Sequence, residues 1–484
     1  MRRAYSNQLR FDSSPIDQVA LNFDCRDEIV PILAALQHVF NQPELRRAVT
    51  TLVAEDVNSD SRRDVGREGF EDWQIVVLAA VRLGCNLDYD KLQDLGENHR
   101  SLRGILGVGD WDDSTSFNWR RIRNTLCRLK PETIQKINQL IVADGQQLHD
   151  GARKKVRADS FVIETNIHYP TESTLIWDGV RKIIPLCAEL AKLLDVPGWR
   201  QSKHLKKQVK HSVREIAQIS GSRSPKVKAA LPGAYQRMLE RVSLILERAK
   251  TLQRAADSCP QTLILSKELQ HWIELTCQVC DTAYRRTVLK EKVPNTEKLF
   301  SLFETHTQLY RRGKARTPNQ FGRMLLLYED AAGFISHYYF MPRDAHDKDN
   351  VVAETQTVQE LHNNEIVDAS FDRGFYSPEN EAQLSKIIKH PCLPPKHPNQ
   401  FAERLANGSV QFHQLRKRHP GIESAIGALQ SGNGLKRCRD RTEKGMERYI
   451  GLGILGRNLH VLGKLLISHR HSKLNAATSK RQAA

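Results

Sequence analysis

Apolar residues recur at helical spacing through the first 150 positions, and that pattern predicts helices over Asp27–Phe40, Pro43–Glu55, Asp72–Val81, Asp88–Leu95 and His99–Leu106. Asp56–Gly66 reads as a polar linker. Asp113-Ser114-Thr115 is positioned to cap a basic helix containing Trp119, Arg120, Arg121 and Arg123, and Pro131-Glu132 opens another. Val156–Glu164 then reads as a strand carrying Asp159, followed by a helical block from about Thr174 to Val293. Strand character returns at Lys298–Tyr310 and Arg323–Tyr328. The acidic turn Glu329–Gly333 makes a hairpin with Phe334–Met341.

Asp347–Asn363 reads as helix and Ile366–Phe371 as a short strand. Ser377-Pro378-Glu379 supplies an N-cap, a proline at the first helical position and an acid in the first turn. A short strand is expected around Cys392-Leu393-Pro394. A helix opens after Pro420-Gly421, with Ile422, Ile426 and Leu429 on its buried stripe. Tyr449–Ser468 is apolar but interrupted by Arg457, Asn458, His460 and Lys464, which predicts a buried helix and not a membrane span. The tail from His469 is expected to be disordered.

Two features of composition change this picture. The 484 residues carry a formal net charge of +17, which attracts polyanions, most commonly nucleic acid. The nine cysteines are scattered and no apolar signal segment follows Met-Arg-Arg-Ala-Tyr, which fits a cytoplasmic protein. Short helices with one rich in arginine suit a helix-turn-helix reader of double-stranded DNA, although a plain helical bundle gives the same pattern. Arg200–Lys228 holds nine lysines and arginines against Glu215 alone, either a solvated face or a phosphate contact. Cys277-Gln278-Val279-Cys280 has no second pair and reads as core packing, as do Trp199 and Trp272.

The candidate chemistry lies in three acids. Asp159 is planted in a strand. Asp372 stands where a strand ends, and Glu423 lies on a helix with Gly427 one turn on, leaving bare backbone beside it. Brought together, three carboxylates suit hard divalent cations and metal-assisted displacement at phosphorus. Asp368 shares a strand face with Asp372 and is its rival. Glu164, Asp178 and Asp330 read as surface or turn acids.

These segments resemble the signature of DDE-type bacterial insertion-sequence transposases, and most closely the group collected as ISNCY transposases. The likeness rests on Arg157-Ala158-Asp159-Ser160 with Ile167–Thr171, Phe371-Asp372-Arg373-Gly374-Phe375 with Ser377–Asn380, and Ile422-Glu423 with Ile426-Gly427 and Leu429. It extends to Gly66–Gly69, Leu87–Leu92, Arg312-Gly313-Lys314 and Leu455–Leu459, covering about residues 20 to 468.

The resemblance implies an α/β protein with a ribonuclease-H-like mixed-sheet catalytic core. Its expected domains are a helical segment and linker over 1–65, a helix-turn-helix-like DNA-binding region over 66–150, a catalytic domain over 151–468 interrupted by a helical insertion at about 172–293, and a basic tail over 469–484. It implies catalysis by Asp159, Asp372 and Glu423 with two Mg²⁺ or Mn²⁺ ions. The expected partners are double-stranded DNA, as element ends and target, and a second copy of the chain. The setting would be the bacterial nucleoid, away from any membrane.

Relatives carry a lysine one or two turns after the glutamate. Here Gln430 stands two turns on, so Lys436 or Arg437 would take that role, with Arg418 before the acid. Arg120, Arg121, Arg123, Lys206, Lys207, Lys314 and Arg373 are the other expected DNA contacts. A DNA-binding repressor without catalysis and a metal-dependent nuclease are the competing readings.

Overall fold

The structure is a computed structural model that describes residues 3–5, 12–58, 69–112, 114–311 and 318–482. Gly66-Arg67-Glu68, Asp113, the expected contact Lys314 and most of the Asp56–Gly66 linker lie outside the described residues. The fold is mixed α/β and mostly helical. It divides into two compact units: Met1–Glu164 with Met324–Ala484, and Thr165–Arg323.

Before the first strand come α1 (Ile29–Asn41), α2 (Pro43–Asn58), α3 (Asp72–Gly84), α4 (Tyr89–Asn98), α5 (Arg100–Ile105), α6 (Trp119–Leu126) and α7 (Pro131–Gln147). Strand β1 (Lys155–Thr165) is followed by α8 (Glu172–Leu193), α9 (Ser202–Gly221), α10 (Pro225–Lys228), α11 (Leu231–Asp257) and α12 (Leu263–Thr287). Then come β2 (Gln308–Tyr310), β3 (Gln320–Asp330), β4 (Ile335–Phe340), α13 (Asp347–Leu361), β5 (Asp368–Phe371), α14 (Pro378–Ile387) and β6 (His390–Cys392). The chain closes with α15 (Pro398–Asn407), α16 (Val410–Arg418), α17 (Gly421–Ser431), β7 (Arg437–Cys438) and α18 (Glu443–Gln482).

The core of the first unit is built around α18, against which α1, α3 and α7 pack. Glycines allow this approach: a Cβ at Gly456 would lie 2.5 Å from the Gly84 amide nitrogen of α3, too close for any side chain. Asn458, two residues on, fastens the helix to a strand. Its amide oxygen accepts from the Ile335 N–H at 2.8 Å, and its nitrogen donates to Ile335 O and to Asn138. By length and composition α18 could cross a membrane, but 67 % of its apolar window is buried. The same hydrophobic core takes in α1, α3, α7, β1, β3, β4 and α17, so it runs across the boundaries expected near 66 and 151.

The helix extends to Gln482, where a disordered tail was expected from His469. The sequence there has no proline or glycine, and Ala, Lys, Arg and Gln all favour continued helix.

Within the sheet, β4 pairs antiparallel with β3, β3 neighbours β1, β1 runs parallel to β5, and β5 runs parallel to β6. The short β7 pairs with β1. The β3–β4 hairpin forms as its acidic turn predicts, but Asp330 is buried rather than a surface turn acid. Its carboxylate accepts from the amides of Ala332 and Phe334 and from the Gln146 side chain of α7.

The second unit has its own core, formed by α8, α9, α11 and α12. Trp199 and Trp272 are buried in it as expected. Cys277 and Cys280 pack against it, and burial pushes the Cys280 thiol up to about 12. Lys298–Tyr310 is strand only at Gln308–Tyr310, which pairs with Gln320–Gly322. The reason is local: the Ser301 hydroxyl accepts from the amides of Phe303 and Glu304 and folds the segment into a turn.

Burial raises the Asp330 carboxyl from 3.8 to about 7, outweighing the hydrogen bonds from Gln146, Phe334 and Ala332 that favour the charged form. A raised folded-state value contributes stability below pH 4 that is lost as pH rises through 7, at most about 4 kcal/mol. Asp330→Asn removes this titration. In thermal melts between pH 4.5 and 8, the melting temperature of the variant relative to wild type is expected to climb with pH; a constant offset would show that Asp330 ionises normally in the fold.

Candidate active site

Asp159 and Asp372 are brought side by side by strand pairing. The parallel register of β1 on β5 runs from Lys155 opposite Asp368 to Ala158 opposite Phe371. One step further sets Asp159 beside Asp372, whose backbone is still extended at φ −77° and ψ 166°. Neighbouring strands lie about 4.8 Å apart, and side chains alternate between faces, so the two acids leave the sheet on the same side. On β1 the positions alternate along Lys155–Ser160: Val156, Ala158 and Ser160 are buried, while Lys155, Arg157 and Asp159 are half-buried. The acid-bearing face is therefore the open one.

Glu423 lies on α17, which starts from a joint with α16 that is held against that face. Arg157, on the same face as Asp159, donates from Nη1 to the Arg418 carbonyl at 3.1 Å and from Nε to the Glu329 carboxylate of β3 at 2.5 Å. His419 is buried and its Nδ1 contacts the Ser370 hydroxyl at 3.2 Å, two residues before Asp372. Gly421 lies so close to Arg157 that a Cβ there would sit 2.1 Å from Nη1. The joint is thus fixed to both acid-bearing strands, and Glu423 stands exposed on the first turn of the helix it starts. Gly427, one turn on, leaves open space beside it.

Asp368 is set apart from this group. It is buried and bonded to His390, Gln411 and Lys155. Burial would raise its carboxyl, but those three partners hold it below the usual carboxylate range. A carboxylate so occupied is a structural anchor, and Asp372 is the exposed member of the pair. Glu164 pairs with Arg437 at 3.0 Å, and Asp178 with His168 and Arg181. Among the described residues no group of three or more His, Cys, Asp or Glu side chains is gathered closely enough to hold a metal ion. The strands align two of the acids, and the third is exposed on a helix whose start is fastened to those strands.

Around the acids the expected cations fall as follows. Arg373 stacks on Phe401 at 3.8 Å, with Arg416 at 5.8 Å from the same ring. Arg418 and Lys436 are exposed, and the Lys436 carbonyl accepts from the Glu164 amide beside β1. Arg120, Arg121 and Arg123 are exposed on α6, resting on Trp119 or Phe70. That helix is capped by Asn118, which accepts from the amides of Arg120 and Arg121. Asp112 binds Ser114 and Thr115 instead, so the expected cap is engaged in a separate turn. Only His99 separates α4 from α5, whereas a longer loop separates α5 from α6.

One acid escaped the sequence. Asp347, at the start of α13, accepts from the Ser160 hydroxyl at 2.7 Å and lies 3.0 Å from where a Gly374 Cβ would be. It touches the residue after Asp159 and the second residue after Asp372. In sequence it is indistinguishable from the ordinary acid of a helix's first turn. No protein-family profile, curated protein or solved structure matches this chain.

Burial lowers His419 to about 4, opposed by Asp372 and reinforced by Arg416 and Arg157. A depressed folded-state value gives stability that is present above about pH 6.5 and lost as pH falls through 4. Hydrogen exchange of the amides in Arg416–Ser424 is therefore expected to accelerate between pH 7.5 and 4.5 beyond the intrinsic pH effect, and not to do so in His419→Gln. Equal protection in both proteins at both pH values would remove His419 as the fastener of the joint.

Proposed function

We propose that this protein is a DDE-type transposase that binds the inverted terminal ends of an insertion sequence, cleaves the DNA by two-metal-ion hydrolysis and joins the 3′-hydroxyl ends to target DNA. The observation carrying this reading is the β1–β5 register that sets Asp159 beside Asp372, on the face to which the start of the Glu423-bearing helix is fastened. A mixed sheet with two acids on adjoining parallel strands supports a ribonuclease-H-like core. A separate helical unit entered directly after β1 supports a core interrupted by an insertion.

Asp159, Asp372 and Glu423 offer the carboxylate oxygens that hard cations such as Mg²⁺ or Mn²⁺ prefer, and they would hold two such ions once Glu423 is drawn toward the aspartate pair, since the three are not gathered closely enough without the ions. Bound ions supply a reactive water or 3′-hydroxyl and stabilise the leaving oxygen. The chain itself does the positioning. β1 and β5 fix two carboxylates on one open face, and the Arg157 contact sets where α17 begins. The open space at Gly427 leaves room for a phosphate next to Glu423. Arg373, Arg418, Lys436 and Arg437 supply positive charge for the strand being cut, and α6 supplies it for the duplex. Joining two ends requires two copies of the chain at least.

Asp159→Asn, Asp372→Asn and Glu423→Gln are each expected to lower cleavage of end-containing duplex in Mg²⁺ by roughly 10²–10³-fold or more. Binding of the same duplex in EDTA should stay within about threefold of wild type, and chelation should stop cleavage by the wild-type protein. Near-normal cleavage by any one variant removes that residue from the set. Wild-type protein that binds ends in Mg²⁺ and never nicks them would be a repressor.

A further inference from the structure

Helix α9 of the second unit has two chemically opposite sides. Val209, Ser212 and Ile216 are buried in the unit's core, with Leu205 and Ile219 half-buried beside them. At 100° per residue, Lys203, Lys207, Lys210 and Arg214 fall within about 60° of one another, directly opposite that side. All four are exposed, and none forms an ion pair among the described residues. His204 and His211 are exposed on one flank of the stripe. Lys206, expected to contact DNA alongside Lys207, is half-buried and lies to the flank of the stripe. Beyond the helix end, Arg223, Lys226 and Lys228 are exposed as well.

Among the described residues of the unit no acid pairs with this stripe. The one acid of α9, Glu215, is taken by Arg237 of α11 at 2.5 Å. The neighbouring helices show the alternative arrangement: on α11 Lys250 pairs with Glu247, and on α12 Arg285 is surrounded by Asp281, Glu291 and Glu297. Cations spaced three and four apart on one helix face repel one another, so an unpaired row is unfavourable in the free protein and becomes favourable against a polyanion. The row extends about 16 Å along the helix, enough to follow several phosphates. A bilayer surface fits less well, because the apolar side of α9 is already occupied by the core and cannot enter lipid.

We infer that the outer face of α9, Lys203, Lys207, Lys210 and Arg214, is a sequence-independent binding surface for the phosphate backbone of duplex DNA. This goes beyond the transposase reading, since it needs a DNA partner but no cleavage. Lysine and arginine on a regular helical face contact phosphates without reading bases, so the surface would hold target or flanking DNA and would not select element ends.

The test uses the full-length protein and a 30-base-pair duplex of scrambled sequence, titrated by fluorescence anisotropy in EDTA from 50 to 300 mM NaCl. Four substitutions, Lys203→Glu, Lys207→Glu, Lys210→Glu and Arg214→Glu, are compared with a control of equal charge change, Lys192→Glu, Arg254→Glu, Lys267→Glu and Lys290→Glu. Four lost phosphate contacts should reduce the slope of log affinity against log salt by roughly 3 to 4, with affinity at 100 mM falling at least tenfold. The control should leave the slope within about one unit of wild type. A milder set with glutamine at the same four α9 positions, and a melting temperature near wild type, separates lost contact from lost fold. Equal losses in both charge-reversed proteins would reduce the effect to net charge and overturn the inference. So would an α9 variant that binds DNA normally but no longer binds phosphatidylserine vesicles. Intact binding through α9 with no metal-dependent cleavage would leave this surface standing and remove the transposase reading.

Discussion

Arg157 reaches from the open face of β1 to two other elements at once: the buried carboxylate of Glu329 on β3, and the last carbonyl of α16 at Arg418. Glu329 also feels the half-buried Arg457, but Arg157 is the cation it bonds, so losing that guanidinium would leave a carboxylate buried on the strand without its hydrogen-bonded partner, a loss of up to roughly 3 to 5 kcal/mol. The second contact fixes the point where α17 begins, and with it Glu423. Gly421 leaves the guanidinium its place there, since a side chain at that position would push Arg157 aside. His419 adds an independent fastening to β5 through Ser370. Position of the third acid thus depends on a few polar contacts at one joint, while the first two are placed by the backbone ladder itself.

Local chemistry was readable in advance where it decides structure. Ser377 caps α14 by accepting from Asn380, Pro131 and Pro378 begin helices, and the acidic hairpin turn forms where predicted. The ladder that aligns Asp159 with Asp372 joins residues far apart in sequence, and only their placement on two strands hinted at it. The joint that carries Glu423 was not legible at all. Arg157 and Arg418 are 261 positions apart, and the carbonyl of an arginine leaves no mark in a sequence that reads its side chain as a phosphate contact. Asp368 and Asp372 likewise differ only in their neighbours: His390, Gln411 and Lys155 engage the first.

The errors have the same origin. Ser301 looks compatible with a strand until its hydroxyl takes two amides of the following turn. Asp330 resembles a solvent-facing turn acid, but α7 covers it and Gln146 donates to it. The tail beyond His469 is polar enough to suggest disorder, yet it continues a helix already nucleated and packed against α1, α3 and α7. In the second unit the pattern of charge was visible, but which cations face outward together depends on the side of α9 that the core takes.

The central claim is that the Arg157-fixed joint delivers Glu423 to the pair of strand acids so that all three carboxylates serve one divalent-cation site. A crystal of the protein grown with Mn²⁺, with anomalous scattering collected at the manganese edge, tests this most directly. The account predicts a peak bounded by Asp159 and Asp372 with the Glu423 carboxylate as a further ligand, and the Arg157 to Arg418 contact intact. Manganese bound elsewhere, or Glu423 directed away from an occupied pair of aspartates, would contradict it.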